Sequence, residues 1–203
     1  MDLFQKYKAL IFDLDNTLYD EKDYLFPVYH VISELAARKD KIEALLAEQY
    51  LKREFITNGR KDLFNKFISH FKLRYCSVED FLQILRTNRP EKKMQLYKSA
   101  ATTLQSMSDL KKQIFILTNG NPEQQRNKVA MIDWQGIDQK IQFIYANETE
   151  KKPSPLEINR IILKCNLSKK DIVFIGDSME DRQCALNAGI AFRQVMEIFP
   201  EAT

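Results

Sequence analysis

Four carboxylates stand where the fold could gather them at one edge of a sheet. Two follow a first short apolar run and two follow a later one, and they are Asp13, Asp15, Asp177 and Asp181. In open α/β sheets, ligands bind at the carboxyl ends of the strands. Four negative charges in a partly buried site would repel one another by roughly several kcal/mol. A divalent cation would remove this penalty, and carboxylates without His or Cys favour a hard ion such as Mg²⁺.

A hydroxyl and an ammonium group follow two further apolar runs. Thr118 and Asn119 follow the run QIFIL, and Lys152 comes after the run IQFIY. Thr118 and the neighbouring backbone N–H groups could hold phosphate oxygens. Lys152 could neutralise charge on a group in transfer.

The spacing of Asp13 and Asp15 indicates a division of labour. Residues two apart on an extended strand share a face, so both side chains could reach one ligand. One carboxylate could attack an electrophile while the other donates or accepts a proton. A carboxylate nucleophile that forms an aspartyl-phosphate is an established route.

The elements that would position these groups alternate along the chain. Apolar runs without polar alternation predict buried strands, at residues 9–12, 113–117, 141–145 and 171–175 and a short last one at 190–195. Helical segments are predicted between them, at about 91–111, 122–132, 152–165 and 180–187. This order predicts an α/β fold with a Rossmann-like, doubly wound parallel sheet.

A second region has only helical periodicity. One helical segment is predicted over 38–55 and another over 60–73, and Ser77 has the sequence context of a helix N-cap. Because this region follows the first strand, we expect a small all-helical domain at 19–89, inserted into a core made of 1–18 and 90–203.

Composition and charge narrow the classes of protein. The 203 residues carry a net charge of +3, and no apolar run approaches the roughly 20 residues of a membrane span. The three cysteines lack CxxC spacing, which indicates free thiols in a reducing cytoplasm. The two histidines leave little room for a His-built zinc site or a Ser-His-Asp triad. We therefore expect a cytoplasmic protein with no nucleic-acid or membrane partner. Its oligomeric state is left open between a monomer and a homodimer.

Four stretches, in order, resemble the motifs of the haloacid dehalogenase (HAD) superfamily. FDLDNTL matches the first motif, ILTNG the second, KKPSP the third and VFIGDSMEDRQCALNAG the fourth. The resemblance covers the chain from about Lys8 to Gly189. It implies the core fold described above, and it implies that the helical insertion is the small C1-type cap of subfamily I.

The resemblance also implies roles in phosphoryl transfer. It makes Asp13 the nucleophile and Asp15 the general acid for the leaving alcohol, then the base for the hydrolytic water. It makes Thr118 and Asn119 phosphoryl contacts. It pairs Lys152 with Asp13 and with the phosphate.

A Mg²⁺ site is implied in the same way. Its ligands would be Asp13, the backbone carbonyl of Asp15, Asp177, and Asp181 directly or through water, while Thr17 supports the nucleophile loop. An alternative for Asp181 is an acidic residue in the first turn of a helix, where it favours the helix dipole.

An acid at position 15 bears on the reaction type. Dehalogenases of the superfamily generally lack it, because a halide leaves without a proton, whereas an alkoxide needs one. The sequence therefore resembles a Mg²⁺-dependent phosphomonoester hydrolase that acts on a small phosphorylated metabolite through an aspartyl-phosphate. TNGNPEQQRNKV resembles the nucleotidase and N-acylneuraminate-9-phosphatase branch. The alternatives are a phosphomutase of the β-phosphoglucomutase type and a non-catalytic HAD-fold binding module.

Overall fold

The computed structural model of the protein describes residues 3–202. The chain divides into two compact units. The core unit comprises Met1–Glu21 and Lys93–Thr203, and the helical unit comprises Lys22–Lys92. Their functional division into a catalytic core and a cap stays a prediction. No helix among the described residues is both long and apolar enough to cross a membrane.

The core unit is built on a parallel sheet, which confirms the predicted fold class. Seven strands occur in the described chain: β1 Ala9–Phe12, β2 Met94–Gln95, β3 Gln113–Thr118, β4 Ile132–Asp133, β5 Ile141–Tyr145, β6 Ile172–Gly176 and β7 Ala191–Gln194. The main sheet has the order β5-β3-β1-β6-β7, and β2 pairs with β4 in a separate short ladder. The order reverses on either side of β1, which is the position where doubly wound sheets bind their ligands.

Strand β1 is central and buried on both faces, as its unbroken apolar run predicts. Phe12 pairs with Ile116 of β3 and with Ile175 of β6. The backbone N–H of Asp13 donates to the carbonyl of Ile175 at 2.9 Å, so the ladder continues one residue beyond the strand. This bond fixes the first residue of the acidic loop at the carboxyl edge of the sheet.

Within residues 3–202, four α-helices belong to the core unit: α5 Lys98–Asp109, α6 Pro122–Met131, α7 Leu156–Lys164 and α8 Met179–Ala188. Ile158 of α7 and Ala185 of α8 are buried in one apolar cluster with Ile11 and Phe174 of the sheet. The prediction of one helix over 91–111 was wrong at its start. Residues 94–95 instead pair as strand β2 with β4, and the helix begins after them.

The helical unit contains α1 Lys22–Asp40, α2 Ala44–Asn58, α3 Leu63–Phe71 and α4 Val78–Thr87. The predicted helix over 38–55 is in fact interrupted after Asp40. Lys41 has a left-handed φ of 59°, and the Asp40 carboxylate accepts the backbone N–H groups of Arg74 and Tyr75 instead. The predicted N-cap is present, since Ser77 forms a capping box with Asp80.

Candidate active site

Three carboxylates converge at the carboxyl edge of the main sheet. Asp13 follows β1, Asp177 follows β6, and Asp181 lies in the first turn of α8. One oxygen from each side chain lies within 4.8 Å of the others. Asp13 and Asp181 are buried and Asp177 is half-buried, so these charges are concentrated where water cannot fully screen them.

Lys152 is the cation that the structure places in this cluster. Its ammonium group donates to Asp13 Oδ1, and to Asp181 Oδ1 at 2.5 Å, and the residue is 3% exposed. Asn119 holds its backbone, because Asn119 Oδ1 accepts from the Lys152 N–H at 2.8 Å and Asn119 Nδ2 donates to the Lys152 carbonyl at 3.1 Å. Asn119 therefore ties the end of β3 to the loop that carries the lysine.

A capping box orients Asp181. Ser178 Oγ accepts from the Asp181 backbone N–H at 3.1 Å, and Asp181 Oδ2 accepts from the Ser178 N–H at 3.1 Å and from its hydroxyl at 2.6 Å. Asp181 therefore has both functions considered for it: it caps the N-terminus of α8, and it belongs to the carboxylate cluster. Its Oδ1 contacts Lys152, and its Oδ2 accepts the capping hydrogen bonds.

Gly176, the last residue of β6, allows Asp181 to approach the sheet. A Cβ atom at this position would lie 2.5 Å from Asp181 Oδ2 and 2.7 Å from its Cβ. Contacts this short are not tolerated, and the second of them involves the base of the side chain rather than its flexible end. Any larger residue at this position would move Asp181 out of the cluster.

The electrostatics of the cluster favour the binding of a cation. Burial raises the pKa of Asp13 to about 8, against the lowering effect of Lys152, and Asp181 raises it further. Burial also raises the pKa of Asp177 to about 6, with a contribution from Asp181. For Lys152 burial lowers the pKa, but the two carboxylates outweigh it and the pKa lies above its usual value. One ammonium group does not balance three carboxylates, and an all-oxygen donor set fits a hard divalent ion such as Mg²⁺.

Asp15 lies in a different environment from Asp13. Its Oδ1 accepts from the Tyr19 hydroxyl at 2.5 Å, and its Oδ2 accepts from Gln125 Nε2 at 3.0 Å and from Lys128 Nζ at 2.7 Å. The Asp15 side chain does not belong to the three-carboxylate group. Metal ligation through its backbone carbonyl stays a prediction.

The two predicted hydroxyl residues are both buried. Thr118 ends β3, and its Oγ1 accepts from Gln125 Nε2 at 3.0 Å and donates to the Asn119 carbonyl at 3.2 Å. The Oγ1 of Thr17 has no hydrogen-bond partner within the described part of the chain. Its supporting role in the nucleophile loop stays a prediction.

Four residues around Asp15 were not predicted from the sequence, namely Tyr19, Glu21, Gln125 and Lys128. A signal was available, because the stretch TNGNPEQQRNKV places polar residues at every position of α6 that turns out to be buried. A helix that packs on a sheet normally buries apolar residues at this spacing.

Comparisons with known proteins match the chain to one family and to named phosphatases. Residues 10–195 match the family of haloacid dehalogenase-like hydrolases. A phosphoglycolate phosphatase of Vibrio cholerae is 26% identical over 193 residues, which cover 90% of this chain and 81% of the relative. One from Pseudomonas syringae is 26% identical over 194 residues, covering 91% and 67%.

Solved structures show the same fold. A HAD phosphatase from Thermococcus onnurineus superposes with a TM-score of 0.59 at 22% identity, covering 91% of this chain and 84% of that one. A putative β-phosphoglucomutase from Thermotoga maritima has a TM-score of 0.66 at 15% identity, covering 95% and 97%. With the family match spanning nearly the whole chain, this protein belongs to the haloacid dehalogenase-like hydrolases.

Proposed function

We propose that the protein is a Mg²⁺-dependent phosphatase that hydrolyses the monoester of a small phosphorylated metabolite. The observation that carries the proposal is the different placement of two neighbouring carboxylates. Asp13 lies against the Lys152 ammonium in the three-carboxylate cluster, whereas Asp15 is bonded to a separate set of donors. Two carboxylates in different environments can take the different roles of nucleophile and proton carrier.

In the first step an Asp13 oxygen attacks phosphorus, and the bond from phosphorus to the ester oxygen breaks. Asp15 gives its proton to the departing alkoxide, so a neutral alcohol leaves. Lys152 neutralises charge on the transferring phosphoryl group. The Thr118 hydroxyl and the backbone N–H groups at the end of β3 hold its oxygens, since the Asn119 amide is occupied by Lys152.

In the second step Asp15, now ionised, takes a proton from water as the water oxygen attacks phosphorus. The bond to Asp13 breaks, phosphate leaves, and both side chains return to their starting states. Asp13, Asp177 and Asp181 would hold the Mg²⁺, which neutralises charge on the phosphoryl oxygens when it is bound.

The chemistry is tested by phosphate release from a panel of phosphate monoesters, with Mg²⁺ and with EDTA. The panel starts with 2-phosphoglycolate, because two relatives carry the name phosphoglycolate phosphatase. Nucleoside monophosphates, N-acylneuraminate 9-phosphate and sugar phosphates follow, to test the substrate branch that the sequence resembles. We expect Mg²⁺-dependent release that Asp13→Asn abolishes. Asp109→Asn, which alters an exposed carboxylate at the end of α5, is the matched control and should keep full activity. Full activity in Asp13→Asn would refute the assignment.

A phosphomutase is the second candidate, because the fold is shared with a putative β-phosphoglucomutase. Such an enzyme would return an isomer of a sugar phosphate and little free phosphate. Analysis of the products, rather than of the rate, separates the two reactions.

The helical unit is proposed to act as a C1-type cap, which would exclude water during transfer.

A further inference from the structure

Helix α6 buries polar residues where a core helix normally buries apolar ones. Its buried positions within the described chain are Gln124, Gln125, Asn127 and Lys128. Buried polar groups are costly unless they are hydrogen-bonded, and a buried ammonium is costly unless it is paired. The partners of these side chains therefore show what the helix is built to hold.

Lys128 is fully buried and lies between two carboxylates. Its Nζ is 2.7 Å from Asp15 Oδ2 and 2.5 Å from Glu21 Oε1, and Glu21 is itself buried. Well-packed apolar side chains would stabilise a fold at least as well as a buried ion pair. A structural need for burial alone thus does not account for a lysine at this position.

Gln125 adds a second link from the same helix. Its Nε2 lies 3.0 Å from Asp15 Oδ2, 3.0 Å from Thr118 Oγ1 and 2.6 Å from the Asn119 carbonyl. The amide therefore joins the loop after β1 to the end of β3. The spacing of three residues to Lys128 puts both side chains on the same face of the helix.

Each oxygen of the Asp15 carboxyl group accordingly has a donor from a different part of the core unit. Tyr19 holds Oδ1 from the loop after β1, and Gln125 and Lys128 hold Oδ2 from α6. Rotation of the carboxyl group breaks at least one of these bonds. A group that transfers a proton must lie within about 2.6–3.2 Å of the atom it serves, so its orientation decides whether transfer occurs.

We propose that Lys128 and Gln125 are positioning residues for the Asp15 carboxyl group and that Glu21 anchors Lys128 for this purpose. The inference rests on the proposed phosphatase function, in which Asp15 protonates the leaving alcohol. It adds to that function residues that hold the Asp15 carboxyl group, of which Gln125 also contacts Thr118.

The test compares two leaving groups. An alkyl phosphate needs a proton on its leaving oxygen, whereas p-nitrophenyl phosphate expels a stable phenolate without one. The value of kcat/KM includes every step up to departure of the leaving group, and so includes the acid step but not the later hydrolysis of the aspartyl-phosphate. The variants are Lys128→Met, Gln125→Met and the double variant Lys128→Met/Glu21→Gln. The double variant keeps the experiment informative if the single one fails to fold, because it also removes the buried Glu21 charge that Lys128 neutralises. Thermal melts establish that each variant is folded.

We expect kcat/KM for the alkyl substrate to fall by about 10- to 100-fold in the Lys128 variants, and that for p-nitrophenyl phosphate by less than about 3-fold. Gln125→Met should change the ratio in the same direction by a smaller factor. Arg160→Met, which removes a cation paired with Glu157 on α7, should leave both values unchanged.

A merely structural role would lower both values by the same factor, and an unchanged ratio in the folded variants would overturn the inference. Asp13→Asn tests the proposed phosphatase function separately from the positioning role, because it should abolish release from both substrates. If wild-type protein releases phosphate from neither substrate, the proposed function fails and the inference fails with it. If wild type is active and the ratio does not change, only the inference fails.

Discussion

Binding of Mg²⁺ to the three-carboxylate cluster should release a proton, and the number released should depend on pH. Burial raises the pKa of Asp13 to about 8 and that of Asp177 to about 6 in the metal-free protein. At pH 7 Asp13 is then mostly protonated and Asp177 mostly ionised. Since a cation binds ionised carboxylates, about one proton leaves for each ion bound at pH 7, and the number falls as pH rises above 8.

Isothermal titration calorimetry in buffers of different ionisation enthalpy measures this number directly. Asp13→Asn is the matched variant, because it keeps the shape of the side chain and has no proton to lose. Its release at pH 7 should be much smaller than that of wild type, because only the mostly ionised Asp177 remains to lose a proton. If wild-type protein binds Mg²⁺ at pH 7 without releasing a proton, Asp13 is already ionised. The attraction of Lys152 would then outweigh burial, contrary to our reasoning.

Three further predictions concern stability and the geometry of Asp181. Gly176→Ala should cost about 1–3 kcal/mol in the free energy of unfolding and abolish most Mg²⁺-dependent activity, because the new methyl group would overlap Asp181. Ser178→Ala and Ser77→Ala remove equivalent capping boxes and should each cost about 0.5–2 kcal/mol in thermal or urea denaturation. Only Ser178→Ala should also weaken Mg²⁺ binding by calorimetry, and equal binding in both variants would contradict the role of the cap. Finally, the native pKa of Asp13 lies above its ordinary value of 3.8. Its contribution to the stability of the metal-free protein is therefore complete below pH 4 and is lost as pH rises to 8, by about 1.4 kcal/mol per unit. Urea denaturation at pH 5.5 and pH 7.5 should show this loss, and Mg²⁺ should reduce it.

Local patterns in the sequence predicted most of the core sheet. The run IQFIY became strand β5 at Ile141–Tyr145, and the continuous run after Lys8 became the central strand. These predictions hold because an unbroken apolar run presents apolar side chains on both faces of a strand, and both faces must then be buried. Short elements were missed. Strand β2 is two residues long and exists only because Met94 pairs with Ile132, a partner that no local pattern specifies.

The local sequence pattern also did not predict the break between α1 and α2. The helical periodicity continues through residues 41–43, but the carboxylate of Asp40 is held by backbone groups at 74 and 75. A contact across more than thirty residues thus decided where the helix ends. Intrinsic helix propensity is a weak influence that tertiary contacts can override.

The sequence by itself determined the family, the order of the four motifs and the identity of the groups at the strand ends. The reason is that each motif residue, Asp13 and Lys152 among them, is identified directly from its own position in the sequence. Only the tertiary structure decided what surrounds Asp15. Lys128 lies 113 residues away along the chain and meets it because the sheet places β3, with the helix that follows, beside β1. The strand order of a sheet depends on contacts between distant segments, and these carry no local signal in a single sequence.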